Sequence, residues 1–250
     1  MLSKQLKHFL FILFFFGSIF SISTSIRINN TVNGRELPIY SVETPSPKIA
    51  LSFDAAWGNE DLDKILQILE SYNVRTTFFM TGQWIKNYPD SVKKIYEAGH
   101  DLANHSENHK NMSQLSSEEC KTELLTAYNR VLELTGQQMN LFRPPYGDYD
   151  DELIKTATAC GYYTIQWSVD SLDWKDYGVE SIISTITKHP ELKNGAIILL
   201  HNGAKYTADA LPSVIESLQN QGFEIIPISE LIYKENYHLD VTGKQIPDKK

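Results

Sequence analysis

The chain has 250 residues, 42% of them hydrophobic and 22% charged, which is ordinary for a globular protein with a full core and by itself points to no activity. Its formal net charge of −8 gives nothing to gain from counterion release on a polyanion, so nucleic acid is excluded as a natural partner. A neutral or cationic polymer fits that sign better.

The first 25 residues read as an address. Lys4, Lys7 and His8 precede an apolar run from Phe9 to Ile22, and Ser23-Thr24-Ser25 follows as a small-x-small site for a signal peptidase. The run is shorter than the roughly 20 residues a comfortable membrane span needs. A cleaved signal is therefore the first expectation and a retained membrane anchor in residues 1–25 the alternative; either one puts the protein outside the cell, in the wall or facing outward from the membrane. Cleavage would remove two lysines and no acid and take the net charge to −10.

Residues 26–47 read as an irregular or edge-strand lead-in, with Asn33-Gly34, Pro38, Pro45 and Pro47 as turn markers. From Lys48 short apolar runs alternate with amphipathic stretches. Strands are expected at 49–53, 76–80, 101–104, 140–142, 163–167, 196–200 and 224–226. Helices are expected at 61–71, 117–134 and 211–218, where apolar residues recur at three and four, with Asp150, Ser181 and Ser229 as caps or first-turn residues. Strands alternating with helices imply a parallel sheet with right-handed crossovers. The near-regular repeat favours closure, hence an α/β fold: a distorted (β/α) barrel of about seven parallel strands with outer helices, filling one domain over 48–233. Residues 234–250 form a polar tail, expected to be partly disordered. Cys120 and Cys160 each fall in a helical pattern and read as small buried thiols rather than a disulfide.

In a barrel of this kind chemistry sits where strands end. Asp54, His105, Arg143, Asp170 with Asp173, and His201 each follow one of the expected strands. His105 and His109 are four residues apart and can face one metal. Neutral imidazole is a common ligand for zinc and related divalent ions, which make water nucleophilic at neutral pH.

These residues fall in five ordered segments: Ser52-Phe53-Asp54-Ala55-Ala56-Trp57-Gly58, His105-Ser106-Glu107-Asn108-His109, Arg143-Pro144-Pro145-Tyr146-Gly147, Asp170-Ser171-Leu172-Asp173-Trp174 and Leu199-Leu200-His201. Together they resemble the motifs of the polysaccharide deacetylase family, which shares the NodB homology domain and forms carbohydrate esterase family 4. The exported and sporulation-associated deacetylases of Gram-positive bacteria are the nearest in pattern. The resemblance implies a divalent metal, zinc first with cobalt or another ion as alternatives, held by His105 and His109. It also implies Asp54 as general base, Arg143 as its ionic partner, the Tyr146 N–H as oxyanion donor, His201 as general acid and Asp173 as the partner of His201, with Asp170 the weaker choice. Trp174 and Leu199 would wall an acetyl pocket, and Trp57, Tyr146 and Tyr149 could offer faces to sugar rings. His8, His100, His189 and His238 stand outside the motifs and take no role.

One position departs from the pattern. The family's first motif carries Asp-Asp-Gly, with the second aspartate on the metal, and here that residue is Ala55. Waters with Asp54, or Glu60 or Asp61 reaching in, are the ways to complete the coordination; the alternative is a weak or empty site. The implied function is therefore a metal-dependent hydrolase that removes N-acetyl groups from a polysaccharide, peptidoglycan or a chitin-like glycan. Retention of Asp54, Arg143, Asp173 and His201 favours it, while Ala55 favours a non-catalytic or weakly active glycan-binding relative. A sugar O-acetyl esterase would use the same machinery. Oligomeric state leaves no mark on the sequence.

Overall fold

The computed structural model describes residues 31–248, so the export segment expected at 1–25 lies outside the described residues. Three short strands occupy the lead-in: β1 (Thr31–Val32), β2 (Arg35–Glu36) and β3 (Ser41–Val42). Asn33 and Gly34, both at positive φ (51° and 79°), turn β1 back onto β2 as an antiparallel hairpin.

The barrel elements follow in chain order as β4 (Lys48–Ala55), α1 (Leu62–Ser71), β5 (Thr77–Met80), α2 (Gly82–Asn87), α3 (Pro89–Glu97), β6 (Asp101–Asn104), α4 (Ser117–Thr135), β7 (Leu141–Phe142), α5 (Asp151–Ala159) and β8 (Tyr163–Thr164). After them come β9 (Val169–Asp170), α6 (Val179–Thr187), β10 (Ile197–His201), α7 (Thr207–Asn220), β11 (Glu224–Ile225) and α8 (Ile228–Leu231). The strands pair in the order β8-β7-β6-β5-β4-β10-β9, and β11 joins the start of β4. Every one of these pairings is parallel, as helical crossovers require. The strand expected at 163–167 is shorter, with β8 ending at Thr164, and the unexpected β9 begins beyond it at Val169. Between them the Gln166 N–H bonds to the Ile39 carbonyl (2.7 Å), which takes the chain off the ladder.

Two cores lie on the two faces of the sheet. Ile49, Leu51, Phe53 and Ala55 point to the outer helices, whereas Ala50 packs inside the barrel with Phe79, Ala103, Leu141 and Ile197. This alternation is the period-2 consequence of strand geometry, and it decides which residues at the end of β4 can reach a central site. The lead-in helps close the barrel: Ile39 bridges to Ile165, and Ser41 to Ala196.

Asp150 caps α5 by accepting from the Leu153 N–H (2.8 Å), and Ser181 and Ser229 fall in the first turns of α6 and α8. The tail is more ordered than expected. β12 (Tyr237–Leu239) and β13 (Lys244–Pro247) pair antiparallel, and β13 adds to β3. Polar composition misled here because Tyr237 and Leu239 alternate into the inner core, and buried Gln245 bonds both the N–H and the carbonyl of Tyr233 (2.7 and 2.6 Å). Cys120 is buried, Cys160 partly so, and both are free thiols. Among the described residues no helix is long and apolar enough to cross a membrane.

Candidate active site

Asp54 sits near the end of β4 on the inward face, directly opposite His201 in the parallel register with β10. It is almost fully buried, and Arg143 donates to it at 2.7 Å. Arg143 is itself fixed: its other terminal nitrogen donates to Ser52 Oγ (2.9 Å) and to the Gln166 carbonyl (3.2 Å), and its guanidinium lies 4.1 Å from the Phe79 ring centroid. Burial alone would raise the Asp54 pKa. The charges of Arg143, His105 and His201 outweigh it, so the carboxyl stays below its ordinary range and is ionised near neutrality.

His105 follows β6, and its Nδ1 lies 2.7 Å from the Arg143 carbonyl. That contact assigns the proton to Nδ1 and leaves the Nε2 lone pair free, 3.5 Å from Asp54 Oδ2. The His105 and His109 rings are 4.9 Å apart. His109 reaches this position because its backbone is left-handed (φ 52°), as is that of Ser106 (φ 66°), whose hydroxyl accepts from the His109 N–H at 3.0 Å. The pair therefore faces inward from a strained loop rather than from successive turns of a helix. Burial drops the His105 pKa to about 4 and lowers that of His109, so both imidazoles are neutral donors near pH 7.

Two such donors fit two positions of a divalent ion's coordination. A third protein donor is not supplied: among the described residues no group of three or more His, Cys, Asp or Glu side chains is arranged to hold a metal. Ala55 is fully buried and belongs to the helix-side core. Of the ways to complete the coordination, the one in which Glu60 or Asp61 reaches in is not the arrangement seen here. Asp61 is held by the Gly203 N–H (2.9 and 3.1 Å) and Glu60 by the Asn59 N–H (3.0 Å), and neither lines the cavity.

On the opposite wall, fully buried Asp173 accepts from the Thr207 hydroxyl (2.6 Å) and the His201 N–H (2.8 Å), and its other oxygen lies 2.7 Å from His201 Nδ1. Burial works to lower the His201 pKa, but its hydrogen bond to Asp173 and the charge there prevail, and the pKa is raised. Asp170 lines the cavity, with its carboxylate accepting from the Leu172 N–H (2.9 Å), and is not the histidine's partner. The indole of Trp57 stacks on the His201 ring at 5.4 Å and 20°.

These groups open into a cavity of about 350 Å³ lined by Asp54, His105, His109, His201, Trp57, Tyr146, Trp167, Trp174 and Leu199 among others. Trp57, Tyr146 and Trp174 are exposed there, whereas Tyr149 bonds Tyr40 and lies outside the cavity. The Arg143-to-Gly147 loop turns at Tyr146, which is left-handed (φ 62°) with its ring 4.6 Å from that of His109. Gly147 follows at φ 67°, and a Cβ there would stand 2.8 Å from the Trp167 ring, so any side chain would be strained and would force that ring to shift. Ser52, Gln166, Thr207 and Trp167 were not among the expected site residues. Only Ser52 leaves a sequence signal, a polar residue two before Asp54 and hence on the same strand face.

The chain matches the family model described as polysaccharide deacetylase over residues 41–165. A peptidoglycan-N-acetylglucosamine deacetylase of Bacillus cereus is 35% identical, covering 74% of this chain and 87% of that protein. The peptidoglycan-N-acetylmuramic acid deacetylase PdaA of Bacillus subtilis is 32% identical, covering 80% and 77%. Among solved structures, a family 4 carbohydrate esterase pseudoenzyme from Bacillus anthracis superposes with a TM-score of 0.76 at 33% identity, covering 84% of this chain and 73% of that one. A mutant of that pseudoenzyme is described as having restored enzymatic activity.

Proposed function

This chain belongs to the polysaccharide deacetylase family, and from that premise we propose that it removes N-acetyl groups from the glycan strands of peptidoglycan, working outside the cell. The observation that carries the reading is the facing pair Asp54 and His201, each pinned by a buried partner of opposite sign and both open to one cavity.

In this reading ionised Asp54 takes the proton from the attacking water, held in place by Arg143. The Tyr146 N–H donates to the oxygen on which negative charge develops, from a turn fixed in advance by Pro144, Pro145 and Gly147. His201, kept protonated by Asp173, gives its proton to the departing amine. His105 and His109 would hold a divalent ion, zinc first among candidates, which when bound supplies Lewis acidity and lowers the pKa of water. Trp174 and Leu199 bound the space for the acetyl methyl.

A second reading is a groove that binds glycan without turnover, favoured by Ala55 and by similarity to a pseudoenzyme. Loss of one anionic donor weakens a metal site because that charge is part of what binds the ion. Acetate release from N-acetylated glycan oligomers in zinc and in cobalt separates the two. Hydrolysis that falls about 100-fold or more in both Asp54→Asn and His201→Ala supports the enzyme; wild-type protein that binds the oligomers but releases no acetate in either metal supports the groove.

A further inference from the structure

The loop between β9 and α6 carries at the cavity rim, beside the Trp174 indole that bounds the acetyl space, two side chains, Lys175 and Tyr177, that the hydrolytic chemistry does not use. Leu172 and Asp176, both left-handed (φ 55° and 54°), bracket the single turn Asp173–Lys175. Asp173 is locked inward by His201 and Thr207, so the side chains that follow are presented outward from a fixed base. Trp174 lines the cavity and is 52% exposed, and Tyr177 is 66% exposed. The Lys175 ammonium lies 4.9 Å from the Trp174 ring centroid and 6.0 Å from that of Tyr177. Among the described residues it is held by these two rings and not by a carboxylate.

Aromatic faces in water suit the C–H face of a pyranose, and an ammonium at their edge suits a carboxylate. A neutral sugar would use the rings and leave the cation idle. The chain as a whole carries a net charge of −8 and the cavity itself holds Asp54 and Asp170, so an anionic sugar is repelled at long range unless a local cation receives it. We propose that Trp174, Lys175 and Tyr177 form a subsite for a carboxylate-bearing sugar, such as a hexosamine with a lactyl ether, so that this chain selects an acidic position of the glycan. The proposal rests on the glycan reading above.

Binding is measured by calorimetry in chelator with two probes: a muramic-acid-containing tetrasaccharide with free lactyl carboxylates, and neutral chitotetraose. Wild-type protein binds the acidic probe about fivefold more tightly at low salt, the size of one exposed ion pair, and the margin shrinks as salt rises. Lys175→Met removes the margin while leaving chitotetraose affinity within about twofold, and Lys175→Arg keeps it. Equal affinity of wild type for both probes, or a margin that survives in Lys175→Met, overturns the subsite alone. Failure of both probes to bind wild type removes the glycan reading and the subsite with it.

Discussion

His201 holds a raised pKa because Asp173 accepts from its ring and its backbone at once, whereas Asp54 is held low by Arg143. In the proposed roles the base is thus ionised and the acid keeps its proton to a higher pH than a free imidazole would, and hydrolysis should fall on the alkaline side as pH rises through the raised His201 pKa. Asp173→Asn removes the charge that raises it, so the alkaline limb of the pH–rate profile should move to lower pH; an unmoved limb would take His201 out of the acid's role. His105 gives the companion test. Its Nδ1 contact with the Arg143 carbonyl presents Nε2 to an ion, so titration with zinc should show weak binding in wild type and none in His105→Ala. Equal binding in both proteins would remove the imidazole pair from the site. Asp54, His105 and His201 were legible because each is a titratable side chain directly after an expected strand. Gln166 and Thr207 were not, and Ser52 showed only as a polar residue on the Asp54 face, since the partners of all three are about 20 to 150 residues away and only folding brings them together.

The strand β4 explains the missing ligand better than composition does. Alternation sends Asp54 inward and the Ala55 methyl into the core shared with the outer helices. A carboxylate at 55 would be buried without a partner unless the end of the strand turned toward the histidines. Ala55→Asp should therefore lose about 1–3 kcal/mol in chelator and recover it in zinc, read as urea unfolding with and without metal. The same loss in both conditions would mean the strand end does not turn. The loop from Arg143 to Gly147 makes a separate demand: Gly147→Ala must strain a left-handed residue and push Trp167 aside, and should cut hydrolysis while costing about 1–3 kcal/mol. The strands starting at Lys48, Thr77 and Ile197 could be read from apolar runs. β9 could not, because Val169 and Asp170 are too few to show a period, and the tail hid its strands among polar residues that pair with the lead-in only in three dimensions.

Across the whole molecule the buried groups set how stability follows pH. His100, whose ring accepts from the Thr76 N–H at 3.1 Å, and His105 both have folded pKa values pushed down to about 4 by burial. Below an unfolded value near 6.5 the unfolded chain binds protons that the folded chain refuses, so their contribution is complete above about pH 6.5 and is lost as pH falls toward 4. Asp54, with a lowered pKa, loses its contribution at lower pH still, and His201, with a raised one, loses its contribution only as pH rises through its folded value. Metal-free Tm should therefore begin to drop below about pH 6.5; a Tm flat down to the carboxylate range would contradict the burial of these histidines. The barrel itself was readable from alternation of strands and helices, but its closure by Ile39 and Ser41 of the lead-in was not, because a bridge of single residues leaves no pattern. Hydrolysis by Asp54 and His201 despite Ala55 is the proposed activity, and mass spectrometry of peptidoglycan digested after treatment with the protein in zinc reads its product. Free-amine sugars are expected from wild-type protein and none above background from Asp54→Asn. Glycan left fully acetylated by both, under conditions where the wild type is folded and bound to it, would contradict the proposed activity.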